Sequence, residues 1–92
     1  MYRLLITASA EKDLRKLPAS LFRRINDHLL ALPVEPRPAG AVKLSGALVG
    51  WRVRVGDYRI VYQIDDETRS LTIVRVRHRR DVYRWQPVRE VA

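Results

Sequence analysis

Cysteine is absent from this sequence, which excludes disulfides, thiolate metal sites and a cysteine nucleophile. Glycine occurs four times, at positions 40, 46, 50 and 56, too dispersed to cradle a phosphate, and no Gly-x-Ser-x-Gly elbow is present. The two histidines, His28 and His78, stand apart without the spacing of a metal-binding pair. The acids Asp65-Asp66-Glu67 fall together in a turn, where solvation is their ordinary role. A metal-dependent nuclease is therefore disfavoured and no cofactor is expected. No apolar run reaches the ~18 residues that a spanning helix needs. The opening Met1-Tyr2-Arg3-Leu4-Leu5-Ile6 is too short for a signal peptide, so a cytoplasmic protein without a membrane partner is expected.

What is present is one domain's worth of chain, 92 residues with 47% hydrophobic and 30% charged side chains. Acids are scarce against bases: 10 Asp plus Glu face 18 Lys plus Arg, a net charge of +8. Such a balance favours a polyanionic partner. Arginine supplies 15 of the 18 cations, and arginine grips phosphate bidentately where lysine acts as a point charge.

Hydrophobic periodicity predicts an α+β fold. Tyr2 to Thr7 reads as a strand, with Thr7 and Ser9 as candidate helix caps. Ala10, Leu14 and Leu17 mark a first helix, with Glu11 and Asp13 near its positive end and Arg15 and Lys16 near its negative end. Pro18 separates it from a second helix carrying Leu21, Ile25, Leu29 and Leu32, its apolar stripe widened by Phe22. His28 falls on that helix's surface. Pro33 to Gly40 holds three of the five prolines and reads as an irregular linker inside the domain. From Trp51 the period becomes two, with Trp51, Val53 and Val55 opposite Arg52 and Arg54. Gly56-Asp57 turns the chain into a strand over Tyr58 to Ile64, and the acidic turn leads to a last strand over Leu71 to Arg77. The expected topology is an N-terminal strand at one sheet edge, a two-helix hairpin and a three-stranded antiparallel meander, with a short C-terminal segment.

Arg52, Arg54 and Arg59, with Arg75, Arg77 and Arg79 in one sequence phase, are expected to converge beside Tyr58, Tyr83 and Trp85. The ten residues from Arg75 to Arg84 hold five arginines against one aspartate. Clustered like charge costs stability, so it points to an anion site, although a solvated outer sheet face shows the same alternation. His78, between two arginines at a strand end, and Tyr83 are the candidate proton-transfer groups.

Three segments carry a resemblance when taken in order: Lys43-Leu44-Ser45-Gly46, then Trp51-Arg52-Val53-Arg54-Val55-Gly56-Asp57-Tyr58-Arg59-Ile60-Val61-Tyr62, then His78-Arg79-Arg80-Asp81-Val82-Tyr83. Together with Leu4 to Pro18 they resemble the RelE-type toxins of type II toxin–antitoxin systems, within the RelE/ParE superfamily. The resemblance implies a toxin that enters the ribosomal A site and cleaves mRNA without metal, and a cognate acidic or amphipathic antitoxin that binds it as a hetero-oligomer. It assigns Arg59, Arg79 and Tyr83 to catalysis and matches Arg52 and Arg54 to a pair of basic positions on the substrate-binding strand. The residues themselves add His78 as a catalytic candidate and Lys43 and Arg77 as candidate phosphate-binding cations. Two departures stand out. Arginines occupy 52 and 54 where the best-known member has lysine, and the spacing from Arg79 to Tyr83 is shorter than in that member. A ParE-like gyrase inhibitor and a non-catalytic RNA-binding module are the alternative readings.

Overall fold

The structure, a computed structural model, describes residues 1–44 and 50–82. Chain order is β1 (Arg3–Ile6), α1 (Ala8–Arg15), α2 (Ala19–Ala31), β2 (Val42–Lys43), β3 (Trp51–Val55), β4 (Tyr58–Asp65), β5 (Ser70–His78) and α3 (Arg79–Val82). The sheet order is β1-β5-β4-β3-β2. The meander β3-β4-β5 is antiparallel, and β1 runs parallel to β5 at its edge, level from Arg3↔Ser70 to Ile6↔Ile73. Periodicity predicts four strands. A fifth, β2, forms because Val42 and Lys43 come alongside Arg52 and Trp51 after the proline-rich segment.

Thr7 ends β1 and starts α1 with one side chain. Its hydroxyl accepts from the Ala10 N–H at 3.1 Å as an N-cap and donates to the Val74 carbonyl at 3.0 Å. The turn between β3 and β4 has Gly56 at φ +59°, which its missing Cβ permits at little steric cost. Both helices bury one stripe on one face of the sheet. Ala10 and Leu14 of α1, Ile25 and Leu29 of α2, and Leu32 beyond it meet Val53, Val55, Ile60, Tyr62, Leu71, Ile73 and Val76. Phe22 departs from its expected place in that stripe: it lies at the rim, 38% exposed.

Tyr62 sits fully buried in this core, and its hydroxyl donates to the Pro36 carbonyl at 2.9 Å. Burial pushes its phenol up to about 12. That bond helps fasten the proline-rich segment to the sheet, as does Arg37, whose guanidinium stacks 5.3 Å from the Trp51 ring and donates to Asp66 Oδ2 at 2.9 Å. Tyr2 donates to Asp66 Oδ1 at 2.6 Å. The Tyr2 and Arg37 hydrogen bonds hold the Asp66 carboxyl below the usual carboxylate range. The acidic turn is thus partly structural, with Asp65 Oδ1 accepting the Glu67 and Thr68 N–H groups at 3.0 and 3.1 Å.

Candidate nucleic-acid interface

Pleating sends Arg52 and Arg54 to the sheet face opposite the helices, because Val53 and Val55 between and after them are buried in the core. On β4 the same alternation buries Ile60 and sends Arg59 outward. Register then fixes the neighbours: Arg54 stands opposite Arg59, and Arg59 opposite Arg77, so three arginines form one row across β3, β4 and β5. The next row is Arg52, Val61 and Arg75. Strands ~4.8 Å apart bring such side chains within reach of one phosphodiester.

Arg75 and Arg77 share their sequence phase with Leu71 and Ile73, yet the two pairs point to opposite faces. The reason is a bulge: Val61 pairs with Arg75 and Tyr62 with Ile73, so Val74 is an extra residue that reverses the alternation of β5. Downstream of it Val76 is core and Arg77 is outward.

Within the row Arg59 is 8% exposed, and its Nη1 donates to the Tyr58 carbonyl at 3.2 Å and the Gly56 carbonyl at 3.5 Å. Arg54 is exposed. A cleft of about 450 Å³ lies beside them, lined by Arg52, Arg54 and Arg59 together with Ala39, Gly40 and Val42. The last three bring the proline-rich segment, expected to be only a linker, and β2 into the site as a wall. Trp51, held under Arg37, is the anchor that fastens this wall, and an aromatic three positions before the arginine pair's end is its sequence trace.

The remaining sequence-predicted residues are placed differently. Arg75 does not join the anion patch: its Nε and Nη2 donate to Asp13 Oδ2 and Oδ1 at 2.9 and 3.0 Å. Asp13 also departs from its expected dipole role. It lies in the second half of α1, 7% exposed, and its Oδ2 accepts the Val76 N–H at 3.0 Å. The signal was present in the sequence, since 10, 13, 14 and 17 complete the i, i+3, i+4, i+7 stripe and Asp13 occupies a buried position of it.

His78 follows Val76 onto the helix side of the sheet, where its ring meets Tyr58 edge to face at 5.4 Å and its Nδ1 accepts the Arg80 N–H at 3.3 Å. Tyr58 and His78 are therefore across the sheet from the arginine row. Arg79 opens α3 and is exposed, its own N–H donating to the Asp57 carbonyl at 2.7 Å. Lys43 is level with Trp51 while Val42 is level with Arg52, so register places Val42 beside the cleft. His28 is exposed on α2 as expected. Ser45, Gly46, Tyr83 and Trp85 lie outside the described residues.

Among the described residues no helix is long and apolar enough to cross a membrane. Residues 4–83 match the model of the ParE toxin of the type II toxin–antitoxin system parDE. The chain is 38% identical over 85 residues to Toxin RelG of Mycobacterium tuberculosis, spanning 90% of this chain and 97% of that one. It is 34% identical over 90 residues to Toxin RelE of the same organism, spanning 96% and 92%. The toxin–antitoxin complex RelBE2 from M. tuberculosis contains a chain superposing with a TM-score of 0.75 at 34% identity, over 84% of this chain and 96% of that one. An archaeal RelE–RelB complex from Pyrococcus horikoshii superposes with a TM-score of 0.75 at 30% identity, over 85% and 94%. With a family model matched over residues 4–83 and relatives above 30% identity over nearly the whole chain, the chain belongs to the RelE/ParE superfamily of type II toxin–antitoxin toxins.

Proposed function

We propose that this toxin is a ribosome-dependent endoribonuclease that cuts mRNA without a metal ion, and that a cognate acidic or amphipathic antitoxin neutralises it in the cytoplasm. The observation that carries this reading is the cross-strand row Arg54, Arg59 and Arg77 beside an open cleft. Like charges placed opposite each other destabilise a sheet, and a bound phosphodiester removes that cost.

The chemistry follows from the residue types. The 2′-oxygen attacks the adjacent phosphorus as its proton leaves, the bond from phosphorus to the 5′-oxygen breaks, and that oxygen takes up a proton. The products are a 2′,3′-cyclic phosphate and a 5′-hydroxyl end. Arg59 and Arg77 neutralise the pentavalent phosphate with charge-assisted hydrogen bonds, and Arg52 and Arg54 hold the flanking backbone. Arginine keeps its proton, so proton transfer falls to Tyr83, with His78 as the alternative group. Because no strong base is at hand, alignment of the mRNA by the ribosome supplies much of the acceleration, worth roughly 7 to 11 kcal/mol when fully realised. Two curated relatives bear the names RelG and RelE, and two solved relatives are complexes with their antitoxins, which supports the same reading.

The match to a ParE toxin model favours a second reading, a gyrase inhibitor on the same scaffold. Primer extension on mRNA from cells expressing the protein separates the two. Codon-phased cuts that reappear with purified ribosomes are the expected result, whereas DNA breaks with intact mRNA establish the gyrase reading.

A further inference from the structure

We propose that Asp13, on α1, is the positioning residue that sets Arg77 in the arginine row, an inference that rests on the nuclease reading above. Asp13 lies outside the row and touches no substrate in that reading. Its carboxylate, 6% exposed at the side chain, reaches the uncovered edge of β5 where β1 has ended. There it accepts three hydrogen bonds, two from Arg75 and one from the Val76 N–H. Its Oδ1 also stands 3.8 Å from Arg77 Nε, an ion-pair distance too long for a hydrogen bond.

Arg77 Nε is itself buried and finds no hydrogen-bond acceptor among the described residues, and the Arg77 side chain is 32% exposed. Without a counter-charge, the buried guanidinium edge of a residue level with Arg59 on the next strand would be driven outward by desolvation and repulsion. Asp13 supplies that charge at the Nε edge. Its three strong bonds fix the carboxylate, so the position it dictates to Arg77 is fixed too. One carboxylate thereby serves two purposes: it ties the helix to the edge of β5 through Arg75 and Val76, and it orients the clamp through Arg77. The bulge at Val74 makes the second purpose possible, since only the reversed alternation turns Arg75 and Arg77 to the face away from the helices while Val76 enters the core.

The two purposes separate by mutation. Asp13→Asn alone leaves Arg75 without its counter-charge and risks unfolding, so the test compares Arg75→Met with the double variant Asp13→Asn/Arg75→Met. In Arg75→Met the carboxylate keeps the Val76 N–H and has Arg77 as its counter-charge. The double variant carries no charge in the pair, and its asparagine oxygen still accepts the Val76 N–H. Ribosome-bound mRNA is cut by Arg75→Met within about threefold of the wild type, while the double variant loses at least about tenfold in kcat with KM unchanged or lower, because a negative charge has gone. Equal cutting by the two variants would make Asp13 a structural partner of Arg75 only and overturn the proposal. Loss in Arg75→Met itself overturns it as well. A second readout uses the Arg77 Nε–Hε signal of ¹⁵N-labelled full-length protein. Its solvent exchange is slow in the wild type and Arg75→Met and fast in the double variant; identical rates in both variants overturn the placement. If the wild-type protein leaves ribosome-bound mRNA intact, the nuclease reading falls, and this exchange comparison still decides whether Asp13 sets Arg77.

Discussion

Arg59 and Arg77 are cross-strand partners on β4 and β5, side by side on the sheet face turned away from the helices. In the proposed nuclease these two guanidinium groups in adjacent register are the cations that meet one phosphate. Arg79 is two residues further on, exposed at the start of α3.

From this relationship Arg59→Ala and Arg77→Ala each lower ribosome-dependent cutting by about 10² to 10³, the usual cost of removing one preorganised donor to a developing charge. Arg79→Ala lowers it by less than about tenfold, as expected of a more peripheral cation. Single-turnover cutting at matched folded concentration checks the ranking. The reverse order, with Arg79→Ala the more damaging, would return the clamp to Arg79.

Proton transfer is tested by a second pair. Tyr83→Phe keeps the ring and loses the hydroxyl, and it lowers cutting by about 10² or more if that hydroxyl moves the proton. His78→Gln changes cutting little, because the imidazole faces Tyr58 on the helix side. Both variants keep the wild-type melting temperature within a few degrees. Cutting that survives in Tyr83→Phe but not in His78→Gln assigns the proton to His78.

The order and type of the main elements were legible because each obeys one period: 3.6 in α2, where Ile25, Leu29 and Leu32 are buried, and 2 in β3, where Val53 and Val55 are. The site was half legible. Arg52, Arg54 and Arg59 fall on one face by parity alone. Arg75 and Arg77 could not be placed that way, since the bulge at Val74 breaks the parity that Leu71 and Ile73 set, and a bulge shows only when a partner strand is present to define register. Strand β2 was hidden for a related reason: two residues carry no period, and Val42 and Lys43 become a strand only through Arg52 and Trp51. Asp13 was misread from its nearness to a helix end, when its place on the buried stripe was the stronger signal.

Gly50 offers a stability test of the wall around the cleft. It has φ +129°, and a Cβ built there would lie 2.5 Å from the Tyr62 carbonyl oxygen. That oxygen is backbone of a central strand and has no freedom to withdraw. Gly50→Ala therefore costs at least about 2 kcal/mol, from the strained φ and the clash together, and lowers the melting temperature by roughly 10 °C. Gly40→Ala is the control. Its φ of +89° is also unfavourable, but nothing lies within 4 Å of the added methyl, so the loss is smaller. Equal losses in the two variants would mean that the backbone conformation alone sets the cost.

The last test concerns the clasp of Tyr2, Arg37 and Asp66, which ties the N-terminus and the proline-rich segment to the turn between β4 and β5. Asp66 accepts from the Tyr2 hydroxyl and the Arg37 guanidinium, and these two bonds favour its charged form. A carboxyl lowered in the folded state binds fewer protons there than in the unfolded chain. Its contribution to stability is therefore complete above the unfolded value, about pH 4, and is lost as the pH falls below it toward the folded value. All three groups are at the surface, so the effect is modest and weakens with salt. Denaturant midpoints measured from pH 6 down to pH 3 should fall for the wild type, and fall less steeply for Asp66→Asn. The wild-type and Asp66→Asn curves converge at the acid end, where both side chains are neutral. Parallel curves would show that the carboxyl does not titrate differently in the folded and unfolded states, and that the clasp stabilises the fold through hydrogen bonding that asparagine reproduces.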